Sequence, residues 1–244
     1  MLNNIRLKYF IVLLLIVLYV VFLNISFSNS SDRVFYNSSD KLWAHRVLNT
    51  NDANIVSHTF NGIEIDVFYN LKYNSFTVKH NSSDNGVNLN EYFANTDDLS
   101  SLKLWIDFKN LNSKNVDSSI LALKKLVDYY DINDNIIIES KDIYLLDKFK
   151  KHAFNISYWL PDFHLFFSVF NILEIKDNLL KFKPEAISMP YSSIRFYSKK
   201  FPNYPIHCWT NNMISEKDKI KIKNLSQMSN VKVILTDLKD NFLK

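Results

Sequence analysis

Eight short apolar runs, separated by helix-length segments, constrain the fold of this chain more than any other feature of its sequence. The runs have the length and the β-branched and aromatic content of buried strands, and an amphipathic segment such as 116–130 lies between two of them. Apolar strands that alternate with helices are typical of a parallel sheet covered by helices. The runs are 41–47, 62–70, 102–109, 135–140, 155–161, 186–190, 204–210 and 231–237.

Eight such runs without a second domain favour an α/β fold, a (β/α)8 barrel over residues 40–244. A doubly wound open sheet is the alternative. One further strand-like segment, 75–81, lies between the second and third runs. We predict that it is a hairpin arm that carries His80 over the mouth of the barrel.

The N-terminal region contains an uncharged apolar segment at residues 9–27, preceded by Arg6 and Lys8. Its length suffices to span the hydrocarbon core of a bilayer, and the positive residues before it predict a cytoplasmic N-terminus at 1–8. No small-residue cleavage site follows, which favours an uncleaved signal anchor over a signal peptide. The sequence thus predicts one transmembrane helix, a tether at 28–39 and an extracytoplasmic barrel, periplasmic or extracellular.

Composition excludes several classes of function. The chain has two glycines, so no Gly-rich phosphate loop is present. Its formal net charge of +4 is too small, and its lysines too scattered, to indicate a nucleic-acid partner. The single cysteine, Cys208, cannot form an internal disulfide and is expected to be a small core residue.

Polar side chains interrupt several predicted strands, mostly toward the C-terminal ends where barrel active sites are built. A charged side chain buried there is costly unless it is paired or bound to a metal. The interruptions are His45, Arg46, Glu64, Asp66, Asp107, Lys109, Glu139, Ser140 and His207.

Four of these residues form two pairs, and the members of each pair are two positions apart. Glu64 and Asp66 share one direction on their strand, and Asp107 shares a direction with Lys109 on the next run. If both pairs point inward, three carboxylates meet, and like charges at that distance require compensation. A hard divalent cation, Ca²⁺ or Mg²⁺, is the usual partner of carboxylate oxygens. The alternatives are an outward-facing Glu64–Asp66 pair and a purely structural Asp107–Lys109 ion pair.

The remaining polar residues suit phosphate chemistry. Arg46 and Lys109 add positive charge for a phosphate oxygen, and His45 and His80 can exchange protons near neutral pH. His45 is as readily explained as a hydrogen-bonded core histidine.

The order of these elements resembles the glycerophosphodiester phosphodiesterase family, within the wider phosphodiesterase superfamily of TIM barrels. The similar motifs run collinearly from Lys41 to Asp237, and they are "AHR", "NGIEIDV", "FTVKH", "LWIDFKN", "IHCWTNN" and "VILTD". Three positions depart from the family pattern, since Val47, Asn81 and Asp107 stand where Gly, Asp and Glu are usual.

The resemblance implies a metal-dependent phosphodiester hydrolase acting on glycerophosphodiesters or on related lipid-headgroup or cell-surface phosphodiesters. The N-terminal segment would hold it at the membrane. The roles implied by position are metal ligands at Glu64, Asp66 and Asp107 for Ca²⁺ or Mg²⁺, an acid–base pair at His45 and His80, phosphate contacts at Arg46 and Lys109, and pocket residues at Trp209 and His207.

Three other functions remain open from the sequence. A phospholipase D-like lyase of the same superfamily would release a cyclic phosphate, and a non-catalytic barrel would only bind phosphodiesters. A glycoside hydrolase would use two carboxylates, but the His-Arg and Asp-x-Lys elements would then have no role.

Overall fold

The computed structural model describes residues 10–14, 41–162, 169–210 and 215–237. Its strands are β1 (Leu42–Ala44), β2 (Gly62–Asn70), β3 (Ser75–Val78), β4 (Val87–Asn88), β5 (Lys103–Phe108), β6 (Ile136–Ser140), β7 (Asn155–Trp159), β8 (Ala186–Pro190), β9 (Ile206–Trp209) and β10 (Val231–Thr236). The helices that connect them are α1 (Thr50–Ser57), α2 (Leu89–Ala94), α3 (Val116–Tyr129), α4 (Ile143–Lys151), α5 (Val169–Phe182), α6 (Ile194–Lys200) and α7 (Glu216–Ser226).

Eight of these strands form a closed parallel barrel. They follow the order β1-β2-β5-β6-β7-β8-β9-β10, and β1 pairs in parallel with both β2 and β10. This closure confirms the predicted (β/α)8 barrel and excludes the open sheet. All eight predicted runs contain one of these strands.

The hairpin arm is also confirmed. β3 pairs antiparallel with the C-terminal half of β2, and β4 pairs antiparallel with β3. Because β2 continues past the barrel layer, the arm extends the sheet above the mouth.

The strands bury both of their faces, and two separate cores result. The larger core lies between the strands and the surrounding helices. A smaller core of inward-facing side chains fills the barrel, so the barrel is packed and is not a pore. Its buried members are Trp43, Trp105, Ile137, Ala186, Val233 and Leu235, with Trp209 packed against them.

His207 belongs to this inner core. Its side chain is fully buried, and its ring centroid lies 4.9 Å from that of Trp105. Burial lowers the pKa of His207 to about 3, so the imidazole stays neutral at physiological pH. Cys208, the next residue, is fully buried on the other face of the strand, as the sequence predicts.

Most of the predicted N-terminal anchor at 9–27, and the tether at 28–39, lie outside the described residues. Residues 10–14 are described and are helical. In the part of the chain that the structure describes, no helix has both the length and the apolar character needed to cross a membrane.

Gly62 is one position where the barrel interior requires glycine. A Cβ atom added there would lie 2.4 Å from Cδ2 of Trp43, and the indole is itself enclosed by the inner core. We expect Gly62→Ala to lower the free energy of unfolding by about 1–3 kcal/mol, as overpacked cores do. Thermal and urea unfolding measure the loss.

The double variant Trp43→Leu/Gly62→Ala provides the control. Removing the indole opens the space that the new methyl group needs, so the two changes should be strongly non-additive. Wild-type stability in Gly62→Ala, or strict additivity in the double variant, would contradict this explanation.

Candidate active site

The predicted site residues meet at the C-terminal end of the barrel. A cavity of about 70 Å³ lies there, at the level where the strands end. The side chains around it come from both the acidic and the basic elements that the sequence singles out. Its lining consists of His45, Arg46, Glu64, Asp66, Asp107, Lys109, Glu139, Trp159, Trp209 and Leu235.

Strand register explains why the carboxylates converge. Asp66 on β2 pairs with Asp107 on β5, and Asp107 pairs with Glu139 on β6. Register partners on parallel strands present their side chains to the same face, so one inward-facing residue brings the others with it. The structure therefore excludes the outward-facing arrangement of Glu64 and Asp66.

Three carboxylates form a compact cluster. One oxygen from each of Glu64, Asp66 and Asp107 lies within 4.8 Å of the other two. The three residues are only 2%, 1% and 7% exposed, so water contributes little to their solvation. The cluster must therefore be stabilised by neighbouring groups.

Lys109 and the backbone at Arg46 provide that stabilisation. The Lys109 Nζ lies 2.5 Å from Asp66 Oδ1 and also forms an ion pair with Asp107. The contact with Asp66 is ionic, since Asp66 Oδ1 lacks a partner with hydrogen-bond geometry. The backbone N–H of Arg46 donates to Glu64 Oε2 at 2.7 Å.

Burial and these contacts shift the pKa values of the three carboxyl groups in opposite directions. Burial, followed by the charges of Asp66 and Asp107, raises the pKa of Glu64 well above its usual range. Burial also raises the pKa of Asp107, which the Lys109 charge partly offsets. For Asp66 the effect of burial is outweighed by Lys109, and its pKa falls below the ordinary value. Asp66 is thus the cluster member that is most readily ionised.

Each candidate catalytic histidine is held by a carboxylate. His45 Nδ1 lies 2.9 Å from Asp237 Oδ1, and His80 Nδ1 lies 2.7 Å from Asp66 Oδ2. An ionised carboxylate only accepts hydrogen bonds, so we assign the proton on each ring to Nδ1. In a neutral ring of this tautomer, Nε2 is the basic atom.

The two histidines differ in their environments. The side chain of His45 is 7% exposed, whereas that of His80 is 32% exposed on the hairpin arm. The Lys79 backbone N–H donates to the Asp66 carbonyl at 3.0 Å, which fixes the arm next to the cluster. Asn81, which replaces the usual Asp, donates its backbone N–H to Asp84 Oδ2 at 2.8 Å and supports the turn.

The His-Arg turn is built without glycine. Arg46 itself adopts a left-handed conformation, with φ of 52°, which is uncommon outside glycine. Val47 is fully buried, and its N–H donates to the Glu64 carbonyl at 2.9 Å. The strained residue therefore precedes the position where the family usually has Gly, and the turn directs the Arg46 backbone at Glu64.

Besides the apolar Leu235, three site residues carry no assigned role in the sequence interpretation. They are Asp237, Glu139 and Trp159, and each stands at the C-terminal end of a barrel strand. That position is the signal by which the sequence could have identified them. Glu139 Oε2 accepts a hydrogen bond from Trp105 Nε1 at 3.0 Å, and its Oε1 has no hydrogen-bond partner among the described residues.

The prediction that His207 lines the pocket is not supported by the position of this residue. It lies on β9 two residues before Trp209, which lines the cavity, and so it falls one layer deeper. The period of a strand fixes the face on which a side chain lies, but it does not give the depth at which a barrel opens.

Burial of Glu139 generates a pH-dependent prediction. Burial, followed by the nearby Asp107 charge, raises its pKa well above the ordinary value of 4.5, so the folded state keeps a proton that the unfolded chain releases above that pH. Stability attributable to this group therefore falls as pH rises from 4.5, by about 1.4 kcal/mol per pH unit, until the folded pKa is reached. Glu139→Gln should remove this loss.

Urea unfolding in EDTA between pH 4 and pH 8 measures the difference. The free energy of unfolding of Glu139→Gln should equal that of the wild type near pH 4 and exceed it increasingly toward neutral pH. The exposed control Glu174→Gln should show no such increase. A constant difference across the range would show that Glu139 is ionised in the folded protein.

No protein-family model matches the chain. No curated protein matches it either.

Several solved structures share its fold. A glycerophosphodiester phosphodiesterase from Parabacteroides distasonis superposes with a TM-score of 0.62 at 15% identity, over 83% of this chain and 94% of that one. One from Thermotoga maritima gives 0.58 at 18% identity, over 83% and 96%. An Oleispira antarctica phosphodiesterase, in complex with the product sn-glycerol-3-phosphate, gives 0.59 at 12% identity, over 84% and 95%. The resemblance inferred from the motifs is therefore confirmed at the level of the fold, with strong divergence in sequence.

Proposed function

We propose that this chain is a metal-dependent phosphodiester hydrolase that acts on glycerophosphodiesters or on related lipid-headgroup or cell-surface phosphodiesters. The observation that carries the proposal is the pairing of two imidazoles with carboxylates, His45 with Asp237 and His80 with Asp66, around one buried acidic cluster. The shared fold with phosphodiesterases adds support.

The acidic cluster fits a hard divalent cation. Glu64, Asp66 and Asp107 offer oxygen atoms within one ion's reach of each other, and oxygen donors of this kind suit Ca²⁺ or Mg²⁺. Asp66 and Asp107 already face the Lys109 ammonium, so a bound cation would share these two carboxylates with Lys109. A bound cation would supply Lewis-acid polarisation of the phosphate and charge neutralisation.

Cleavage of a phosphodiester requires one proton to leave the attacking hydroxyl and another to reach the departing alcohol. His45 and His80 are suited to these two tasks, since each ring has its Nδ1 engaged and its Nε2 available for transfer. Asp237 keeps the buried His45 ring oriented and stabilises it when it gains a proton. Asp66 does the same for His80.

Positive charge in the cavity suits the phosphate. Lys109 lies at the cluster, held by two carboxylates that raise its pKa despite its burial, so it remains an ammonium. Arg46 is exposed at the entrance, where its guanidinium can pair with phosphate oxygens. Together these two residues bind and orient the diester.

The attacking group can be water or a neighbouring hydroxyl of the substrate itself. Water gives a phosphomonoester directly, whereas an internal hydroxyl gives a cyclic phosphate, as in a lyase. Phosphorus NMR of the product mixture separates the two outcomes, and binding without any product would indicate a non-catalytic barrel.

We further propose that the segment 9–27 anchors the protein in a membrane with the barrel outside the cytoplasm. Its apolar length and the preceding Arg6 and Lys8 support this orientation. Such an anchor would place the site beside lipid-derived phosphodiesters.

Metal dependence is tested by stability as well as by activity. In the full-length chain, Ca²⁺ or Mg²⁺ at about 100 times its dissociation constant should stabilise the fold by about 2.7 kcal/mol relative to EDTA. Asp66→Asn should abolish the shift, while Asp117→Asn on the exposed face of α3 should retain it. A well-folded protein with no shift for any divalent cation would refute the metal-dependent mechanism.

The histidine roles have a separate test. His45→Gln and His80→Gln should each lower kcat by about 10²–10⁴-fold, the usual range for losing a general acid or base. The exposed His58→Gln should leave kcat unchanged. Asp237→Asn should lower kcat while the KM changes little, because it touches His45 and not the phosphate. Retention of full activity in His45→Gln would remove this residue from the mechanism.

A further inference from the structure

A second cavity adjoins the charged one. It has a volume of about 500 Å³ and is formed by the segments that follow β6 and by the ends of β7, β8 and β9. Trp159 and Trp209 line both cavities, so the two spaces lie side by side at these side chains. We refer to the second cavity as the tryptophan pocket. Its lining consists of Lys141, Tyr158, Trp159, Pro161, Asp162, Pro190 and Trp209.

The walls of the tryptophan pocket are stiff and largely flat. The rings of Trp159 and Trp209 meet edge to face, with centroids 5.2 Å apart and planes inclined at 79°. Pro161 and Pro190 complete the apolar surface. Indole faces pack well against the C–H groups of a ring or chain whose hydroxyls point elsewhere, and such rigid side chains lose little entropy on binding.

Lys141 gives the pocket its charge selectivity. Its Nζ lies 4.0 Å from the centroid of the Trp159 ring, which is the position that a quaternary ammonium would take on an aromatic face. A cationic headgroup would have to displace this ammonium or remain beside it, and either option is costly. Asp162 is the other charged residue in the described lining, and it is exposed at the rim.

Lys141 also lies close to the charged cavity. It follows β6 directly after Ser140, and its Nζ lies over Trp159, which lines that cavity as well. A group seated against Lys141 would therefore be next to a phosphate bound at the acidic cluster. The charged cavity has only about 70 Å³, so the larger part of a diester must lie outside it.

We propose that the tryptophan pocket binds an alcohol group of the diester and selects an uncharged polyol, such as a second glycerol or an inositol ring, against a quaternary ammonium such as choline. Hydroxyl groups accept hydrogen bonds from the Lys141 ammonium where it lies over Trp159, while the C–H faces pack on Trp209. This inference rests on the proposed phosphodiesterase function, whose substrate class it narrows.

Kinetics on the full-length chain test the selectivity. We expect kcat/KM for glycerophosphoinositol to exceed that for glycerophosphocholine by about tenfold, a difference in the range of one cation–π contact. Lys141→Met should reduce the ratio to near one, and Lys141→Glu should invert it, mainly through KM. Lys148→Met removes an equal charge from α4, where Lys148 pairs with Asp117 at 2.9 Å, and should leave the ratio unchanged.

Binding provides a readout that does not depend on turnover. Titration calorimetry should show tighter binding of inositol 1-phosphate than of phosphocholine, with the preference lost in Lys141→Met. A wild-type preference for choline, or an equal preference in the Lys141 and Lys148 variants, would overturn the inference. Absence of turnover on every diester, together with a Lys141-dependent binding preference, would instead refute the proposed hydrolase and leave the pocket assignment in place.

The polyol can belong to a deacylated diester or to an intact lipid. Vesicles of phosphatidylinositol, offered in place of glycerophosphoinositol, distinguish these sources. Turnover of the vesicles alone assigns the pocket to a lipid headgroup, and turnover of the soluble diester alone assigns it to a deacylated product, with the same effect of Lys141→Met expected in either case.

Discussion

The burial of several carboxylates at one level of a filled barrel is the constraint on which the rest of the site depends. Register places Asp66, Asp107 and Glu139 on adjacent strands at the same height, away from water that could solvate them. Each group around them can be understood as a response. Lys109 bridges Asp66 and Asp107. The backbone N–H of Arg46 donates to Glu64, and His80 binds the second oxygen of Asp66. The same contacts gather imidazole, carboxylate and ammonium groups at one end of the barrel.

The lower half of the barrel makes this concentration of charge possible. Trp105 fills the interior and also donates its Nε1 to Glu139, so one side chain serves both the packed core and the polar layer above it. His207 is kept neutral by burial beside that indole. A polar layer supported from below by rigid rings cannot relax when one of its members changes, since close-packed interiors transmit strain.

Periodicity in the sequence is sufficient to predict the barrel and the shared direction of Glu64 and Asp66, because strand alternation is a local rule. It is insufficient for contacts that join distant segments. Asp237 lies 192 residues from its partner His45, and no spacing relates the two. The sequence also does not reveal how deep in the barrel a residue lies. For that reason His207 is predicted to line the pocket but lies below it. The motif leads one to expect a glycine at position 47, but the structure has Val47 there and places the left-handed conformation at Arg46. Only the backbone geometry reveals this difference.

The mouth of the barrel is divided between two kinds of surface. β2 and β5 carry the carboxylates of the cluster, and the two histidines follow β1 and β3. Hydrogen bonds and ion pairs link Asp66 to His80 and to Lys109. The ends of β7, β8 and β9 present tryptophan and proline, and the rings of Trp159 and Trp209 meet edge to face. Since distant substitutions are usually additive, under the proposed function changes in the aromatic half would alter which alcohol is accepted while the charged half would keep its geometry. Lys141 is the exception. Its ammonium lies over Trp159, which lines both cavities, so under the proposed function this single lysine would connect the choice of alcohol to the charged site.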